Sequence, residues 1–314
     1  MQLFLQRLFD AVSNGAVYAS LAVALTLVYR SSGMLNFALG ESSMFATFVA
    51  LVLVTPRSRR LRGTTWAHRW LHTPWPLPLA IVAVALAALV FGALVERVLM
   101  RRAEGRSVMA VVGATLGLGL LINGAAAQSF GNAFWAFRSP FPHGPGSAVT
   151  VAGGARLRYE TIGTALVLLV VLAALRLLLQ NTRTGLAFRA VASNRSSASL
   201  AGIQVGRSLA LGWGLAGALG ALAGVMVAPN TLVETGMMGK LLVFAIAAAT
   251  VGGLDSPSGA VAGGFLLALA ETMLGGYVPS IGGDLSLLVA IAVLLAVLAV
   301  RPHGLLGRRR VARL

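Results

Sequence analysis

The sequence predicts an all-α polytopic membrane protein with about eight to nine transmembrane or re-entrant helices. Three observations carry this expectation. Of the 314 residues, 57% are hydrophobic and 11% charged; mean hydropathy is +0.84; and apolar runs of about 18 to 25 residues recur from end to end. So few polar side chains cannot clothe a water-facing surface, so lipid is the solvent of most of the chain. Residues 1–314 read as a single transmembrane domain.

The apolar segments fall near residues 9–29, 33–54, 77–99, 108–128, 160–180, 207–229, 237–253, 256–276 and 284–301. The start, MQLFLQRLFDAVSNG, lacks a signal-peptide layout because Asp10 and Asn14 interrupt it, so it is expected to persist as the first membrane segment. Two segments are weak spanners. Residues 108–128 are Gly-rich with Asn123 and Gln128; residues 237–253 are short, carry Lys240 and end in Gly252-Gly253. Such segments are expected to break or re-enter, shielded by protein or lining a cavity. In 211–224, Gly212, Ala216, Gly220 and Gly224 form a ladder of small residues that lets helix backbones approach closely, with tight packing favoured over a direct transport role.

Charge is lopsided: nine acidic residues against 25 basic, all Arg except Lys240, for a formal +16. The Arg residues cluster between apolar runs without a basic stripe interleaved with aromatics. They therefore set topology and meet anionic headgroups of the lipid bilayer, and no nucleic-acid partner is expected. Two arrangements nearly tie when 181–206 and the C-terminus are cytoplasmic. If every early segment spans, 14 Arg lie inside against 9; if 108–128 re-enters and the N-terminus is inside, the tally is 15 against 8. The absence of cysteine rules out disulfides and Cys-ligated clusters.

The inventory for catalysis is thin: four His, no Cys, and no HExxH, GxSxG or GxxxxGK[ST]. Without a phosphate-cradling loop the chain itself does not use ATP by the usual route, and no catalytic residue is assigned. In the Arg-rich loop 55–76, His68 and His72 are spaced i, i+4 but lack a carboxylate, so an interfacial loop is preferred to a metal site.

Three stretches suit transport. In SSGMLNFALGE (31–41), Asn36, Phe37, Gly40 and the ionisable Glu41 open the second apolar segment. A carboxylate there either faces a bundle interior or merely offsets a helix dipole near the headgroups. The polar stretch 181–207 suits two short helical turns, with Asn194 as N-cap and Gly202 ending the second, and its Arg residues place it in the cytoplasm. It fits a groove on another protein, or else lies on lipid. In VGGLDSPSGAVAGGFLLALAE (251–271), Gly252, Gly253, Asp255, Pro257 and Gly259 make either a broken-helix polar site or a tight hairpin, with Glu271 further on.

These residues carry a resemblance to the LivH-type permeases of branched-chain amino-acid ABC importers. Asn36-Phe37-Ala38-Leu39-Gly40-Glu41 resembles that family's N-F-A-H-G-E, with Leu39 in place of His. Gly185, Arg189-Ala190 and Ala201-Gly202-Ile203 resemble its cytoplasmic coupling loop; Gly252-Gly253 through Gly259 and Val300 through Gly307 resemble its last hairpin and tail. The resemblance implies a type II ABC importer-like permease in the bacterial inner membrane and no enzyme activity of its own. It implies a homologous second permease, two ATPase subunits that carry ATP and Mg, and a periplasmic substrate-binding protein. Asn36, Phe37, Gly40 and Glu41 would border the translocation path, and Gly185, Arg189, Ala190, Ala201 and Gly202 would dock the ATPase. Related systems move urea, short amides or other small carboxylates, which stand as the alternative substrates. An ion-coupled secondary transporter using Glu41, Glu271 and Lys240 is the alternative mechanism.

Overall fold

The computed structural model describes residues 2–55, 73–103, 107–142, 144, 146–150, 154–277 and 285–307. Each of the nine apolar segments is a helix. They are α1 (Gln2–Ser32), α2 (Leu39–Val54), α3 (Leu77–Val95, continued by a π-helical turn, Glu96–Met100, and a last turn α4, Arg101–Ala103), α5 (Val108–Phe130), α6 (Tyr159–Asn181), α9 (Val205–Thr231), α10 (Gly239–Gly252), α11 (Pro257–Tyr277) and α12 (Ser286–Val300). Between α6 and α9 lie two short helices, α7 (Arg183–Ser193) and α8 (Arg195–Leu200). Six of the apolar helices are long enough to cross a bilayer, and α2, α10 and α12 are shorter. A two-stranded hairpin, Ala148–Thr150 paired with Arg156–Arg158, was not expected from the sequence.

Segment 108–128 does not break. Ser107 caps α5 by accepting from the Ala110 amide, and the helix runs 23 residues before Gly131, at φ 73°, ends it. At 1.5 Å per residue that is about 35 Å, enough to span. Just before α5, the Arg101 guanidinium lies over Gly206 in the first turn of α9. The Arg-rich end of α4 thus shares a side with the 181–207 stretch, which favours the arrangement in which every early segment spans.

The chain packs as two compact units, Met1–Arg30 with Phe141–Leu177 and Lys240–Leu314, and Ser31–Pro140 with Leu178–Gly239. In the first, α1 and α11 cross so closely that Gly15 lies under the Phe265 ring and Gly264 against the Ala19 backbone. Ala16, Ala19 and Leu168 form the core of that crossing. In the second, α9 is the central helix, and its small residues face two neighbours. Gly214 and Gly217 abut the carbonyls of Leu89 and Ala88 on α3, while Gly220 and Gly224 abut Ser43 and Thr47 on α2. The four-residue ladder thus has the packing role favoured for it.

The second apolar segment holds the main surprise. Ser31 packs at the level of Gly212, and Leu39 at the level of Gly220, about halfway along α9. Residues 33–38 between them are not helical, so an irregular strand climbs about 12 Å before α2 begins. The broken helix lies here, at residues 33–38.

Candidate functional site

The break has local causes. Gly33 takes a left-handed φ of 76°, and the Ser32 hydroxyl both accepts from the Met34 amide and lies within reach of its carbonyl. Asn36 is buried, and its Oδ1 accepts from the Ala38 amide at 3.0 Å, an Asx turn that starts α2. Leu39, where the resembled motif has His, is buried against Gly220. An apolar contact thus occupies that position.

Glu41 sits one turn into α2, and its Oε2 accepts from Asn123 Nδ2 of α5 at 2.8 Å. The same Nδ2 donates to the Thr235 carbonyl at 2.8 Å. The carboxylate lies in the first turn of a helix, where the dipole favours it, and that helix starts halfway along α9. The Glu41 side chain packs beside Gly119 of α5, its Cγ 3.5 Å from where a Cβ would stand. Asn123, whose presence weakened 108–128 as a spanner, is the hydrogen-bond partner of Glu41.

Beside this pair lies a cavity of about 480 Å³ among α2, α3, α5 and α9. Its walls are almost wholly apolar, including Phe45, Phe91, Leu121 and Trp213, with Asn36 and Ser42 at its polar end. Gly40 is buried and Phe37 half-buried on the same motif.

The 181–207 stretch folds as expected. Thr182 caps α7 by accepting from Gly185, Asn194 caps α8 by accepting from Ser197 at 3.0 Å, and Gly202, at φ 77°, ends it. Gly185 is pressed against the carbonyls of Leu178 and Leu179, where a side chain has no room. Val191, Ala198 and Leu209, flanked by Ala190, Ile203 and Val205, bind α7, α8 and α9 into one body. Arg189 donates to the Gln180 carbonyl at 3.3 Å and Ala190 is half-buried, so these two serve the element itself. What it displays is Leu186 at 60% exposure, Leu200 at 91% and, next to it, exposed Ala201.

The stretch 251–271 is a tight helical hairpin. Gly252 and Gly259 press backbone on backbone, Pro257 opens α11, and the turn Gly253 to Ser256 carries half-buried Asp255. Leu305 and Leu306 amides of the tail donate to the carbonyls of Val251 and Gly252. Further along α11, Glu271 accepts from the Tyr18 hydroxyl at 2.7 Å; Tyr18 stacks on Phe244, which Lys240 Nζ overlies at 5.8 Å. Tyr18 carried no sequence signal, since a tyrosine in an apolar run reads as a packing residue. Among the described residues no three His, Cys, Asp or Glu gather as metal ligands; His68 and His72 lie outside them.

Comparison with known proteins gives relatives of the same length. The chain is 29% identical to the high-affinity branched-chain amino acid transport system permease protein LivH of Salmonella typhimurium, over 99% of this chain and 97% of that one. It is 29% identical to the permease protein BraD of Pseudomonas aeruginosa, over 99% and 98%. A solved complex, PsaBC from Streptococcus pneumoniae with Fab, overlays 95% of this chain and 91% of that chain at TM-score 0.47 and 16% identity. Residues 7–298 match the family model described as branched-chain amino acid transport system / permease component, and the chain belongs to that family.

Proposed function

We propose that this chain is the permease subunit of an ATP-binding cassette importer for branched-chain amino acids. It works as one transmembrane unit in the bacterial inner membrane, beside a second, homologous permease. Two separate ATPase subunits bind ATP and Mg, and a periplasmic binding protein delivers the substrate. The substrate class rests on family membership. The observation that carries the transport role is the broken second segment, which sets Asn36 and Glu41 about halfway along α9 beside an apolar cavity. Discontinuous helices lining cavities are how transporters hold polar groups at depth.

In this reading the path borders Asn36, Phe37, Gly40 and Glu41, and the cavity accommodates an aliphatic side chain in passing. The ATPase meets the exposed apolar tip of α7 and α8, Leu186, Leu200 and Ala201, framed by exposed Arg183 and Arg207. The ion-coupled alternative is not needed: Glu271 is bonded to Tyr18, Lys240 lies over Phe244, and the family is one of transport-system permeases.

The test is uptake of leucine into proteoliposomes holding the full complex. Uptake should require both ATP and the binding protein. Saturable uptake by this chain alone, driven by a proton or substrate gradient, would overturn the reading.

A further inference from the structure

The α7–α8 element and the end of α1 that leads into the broken segment meet at Ser31. Arg195, first residue of α8, donates from Nη2 to the carbonyl of Ser31 at 2.6 Å. Ser31 is the penultimate residue of α1, is 3% exposed, and lies two residues before the irregular strand that climbs to Asn36. A guanidinium on a carbonyl at a helix C-terminus is a short, charge-assisted bond aligned with the dipole. The other half of the element packs at the same level of α9. Phe188 of α7 is fully buried, and its ring and the Ser31 hydroxyl together cover Gly212 of α9.

Resting on the importer reading, we infer that Arg195 is a positioning residue that carries displacement of the coupling helices to the broken second segment, and through it to Asn36 and Glu41. The geometry suits this work. The Val191, Ala198 and Leu209 core binds α7 and α8 to each other and to the first turns of α9, so a displacement of the coupling helices is passed on rather than absorbed within them. Residues 33–38 have few backbone hydrogen bonds to resist a pull: Ser32 holds Met34, and Asn36 holds Ala38 and Leu39. Between a rigid lever and a short irregular strand, the Arg195 bond is the hitch. Its position behind the exposed tip separates it from docking: Arg195 is half-buried, whereas Leu200 is almost wholly exposed.

The chain has no cysteine, so a Met34→Cys substitution reports on the strand alone. In the full reconstituted complex, maleimide labelling of that cysteine is compared without nucleotide and after vanadate trapping, alongside leucine uptake per ATP hydrolysed. The native Arg195 complex should show a several-fold nucleotide-dependent difference in labelling rate. Arg195→Ala should assemble and hydrolyse ATP, yet lose that difference and take up about tenfold less leucine per ATP; Arg195→Lys should recover part of both. Arg195→Ala with unaltered labelling and unaltered uptake per ATP would overturn the proposal. So would failure of Arg195→Ala and Arg195→Lys alike to retain the ATPase, since Arg195 would then belong to the docking face. A native complex that hydrolyses ATP without uptake would instead remove the importer reading, while the labelling comparison would still decide the Arg195 role.

Discussion

Asn123 Nδ2 donates at 2.8 Å to both Glu41 Oε2 and the Thr235 carbonyl, joining α5, the start of α2 and the loop after α9 through one amide group. A carboxylate placed at depth is costly unless something answers it, and here a neutral donor does so without cancelling its charge. That bond anchors one of the two carboxylate oxygens.

Glu41→Gln removes the charge but keeps the shape, so the complex should assemble while leucine uptake falls about tenfold, the scale of one hydrogen bond to a charged group, about 1.5–3 kcal/mol. Asn123→Asp sets a second carboxylate against the first and should cost more than Glu41→Gln. The double substitution Glu41→Gln with Asn123→Asp should recover part of the loss, because like-charge repulsion is gone. Uptake measured in all three variants checks the coupling; strict additivity would mean the pair does not act together.

The glycines of α9 make a graded test of packing. At Gly224 a Cβ would meet Thr47 Oγ1, with the Met238 methyl and the Ser43 carbonyl each at 2.9 Å. Gly224→Leu should therefore lower the melting temperature of the detergent-purified subunit by several degrees, at the upper end of the ~1–3 kcal/mol typical of overpacking. At Gly113 on α5 nothing lies within 4 Å, so Gly113→Ala should leave it unchanged or slightly higher.

Much of this architecture was readable from local pattern. Nine apolar runs gave nine helices, and Asn194 and Gly202 were placed at the ends of α8 because caps and left-handed glycines are decided within a few residues. The break in the second segment was not, although Gly33 and Asn36 stand there. A helix can run straight through such residues, and it is Gly220 and Gly224, some 180 residues away, that let α2 begin so deep. The partners of Asn123 lie 82 and 112 residues distant, so the sequence alone shows only a polar residue within an apolar run. Tyr18, 253 residues from Glu271, gave no sign at all.

The docking surface proposed for the ATPase centres on the exposed tip of α7 and α8. Arg189 and Ala190 are engaged within the element, whereas Leu200 projects. Leu200→Asp should reduce co-purification of the ATPase about tenfold or more without lowering the amount of permease in the membrane, because exposed tip residues contribute nothing to the core. Arg189→Glu should weaken both complex recovery and subunit stability, having lost its bond to the Gln180 carbonyl. Quantifying ATPase recovered per permease, together with permease abundance, separates the two.

The tail motif Arg301-Pro302-His303-Gly304-Leu305-Leu306-Gly307 closes the end of α10. That helix is 14 residues long, and two of its last carbonyls, on Val251 and Gly252, are answered by the Leu305 and Leu306 amides at 2.8 and 3.0 Å. Both acceptor residues are buried, so without the tail each carbonyl stands to lose about 1–3 kcal/mol. Gly304 makes the approach possible. It holds φ 77°, and a Cβ would stand 2.6 Å from the Gly253 amide nitrogen and 2.7 Å from the Thr250 carbonyl. Gly304→Val therefore combines a strained backbone with a backbone collision that no side chain can relieve. It should match the effect of a stop after Val300, a lower melting temperature and faster proteolysis, while a stop after Gly307 should behave as the full chain. Arg301→Gln loses only an exposed bond to the Leu305 carbonyl and should change little. Equal stability for Gly304→Val and the full chain would show that the tail rests on α10 without holding it.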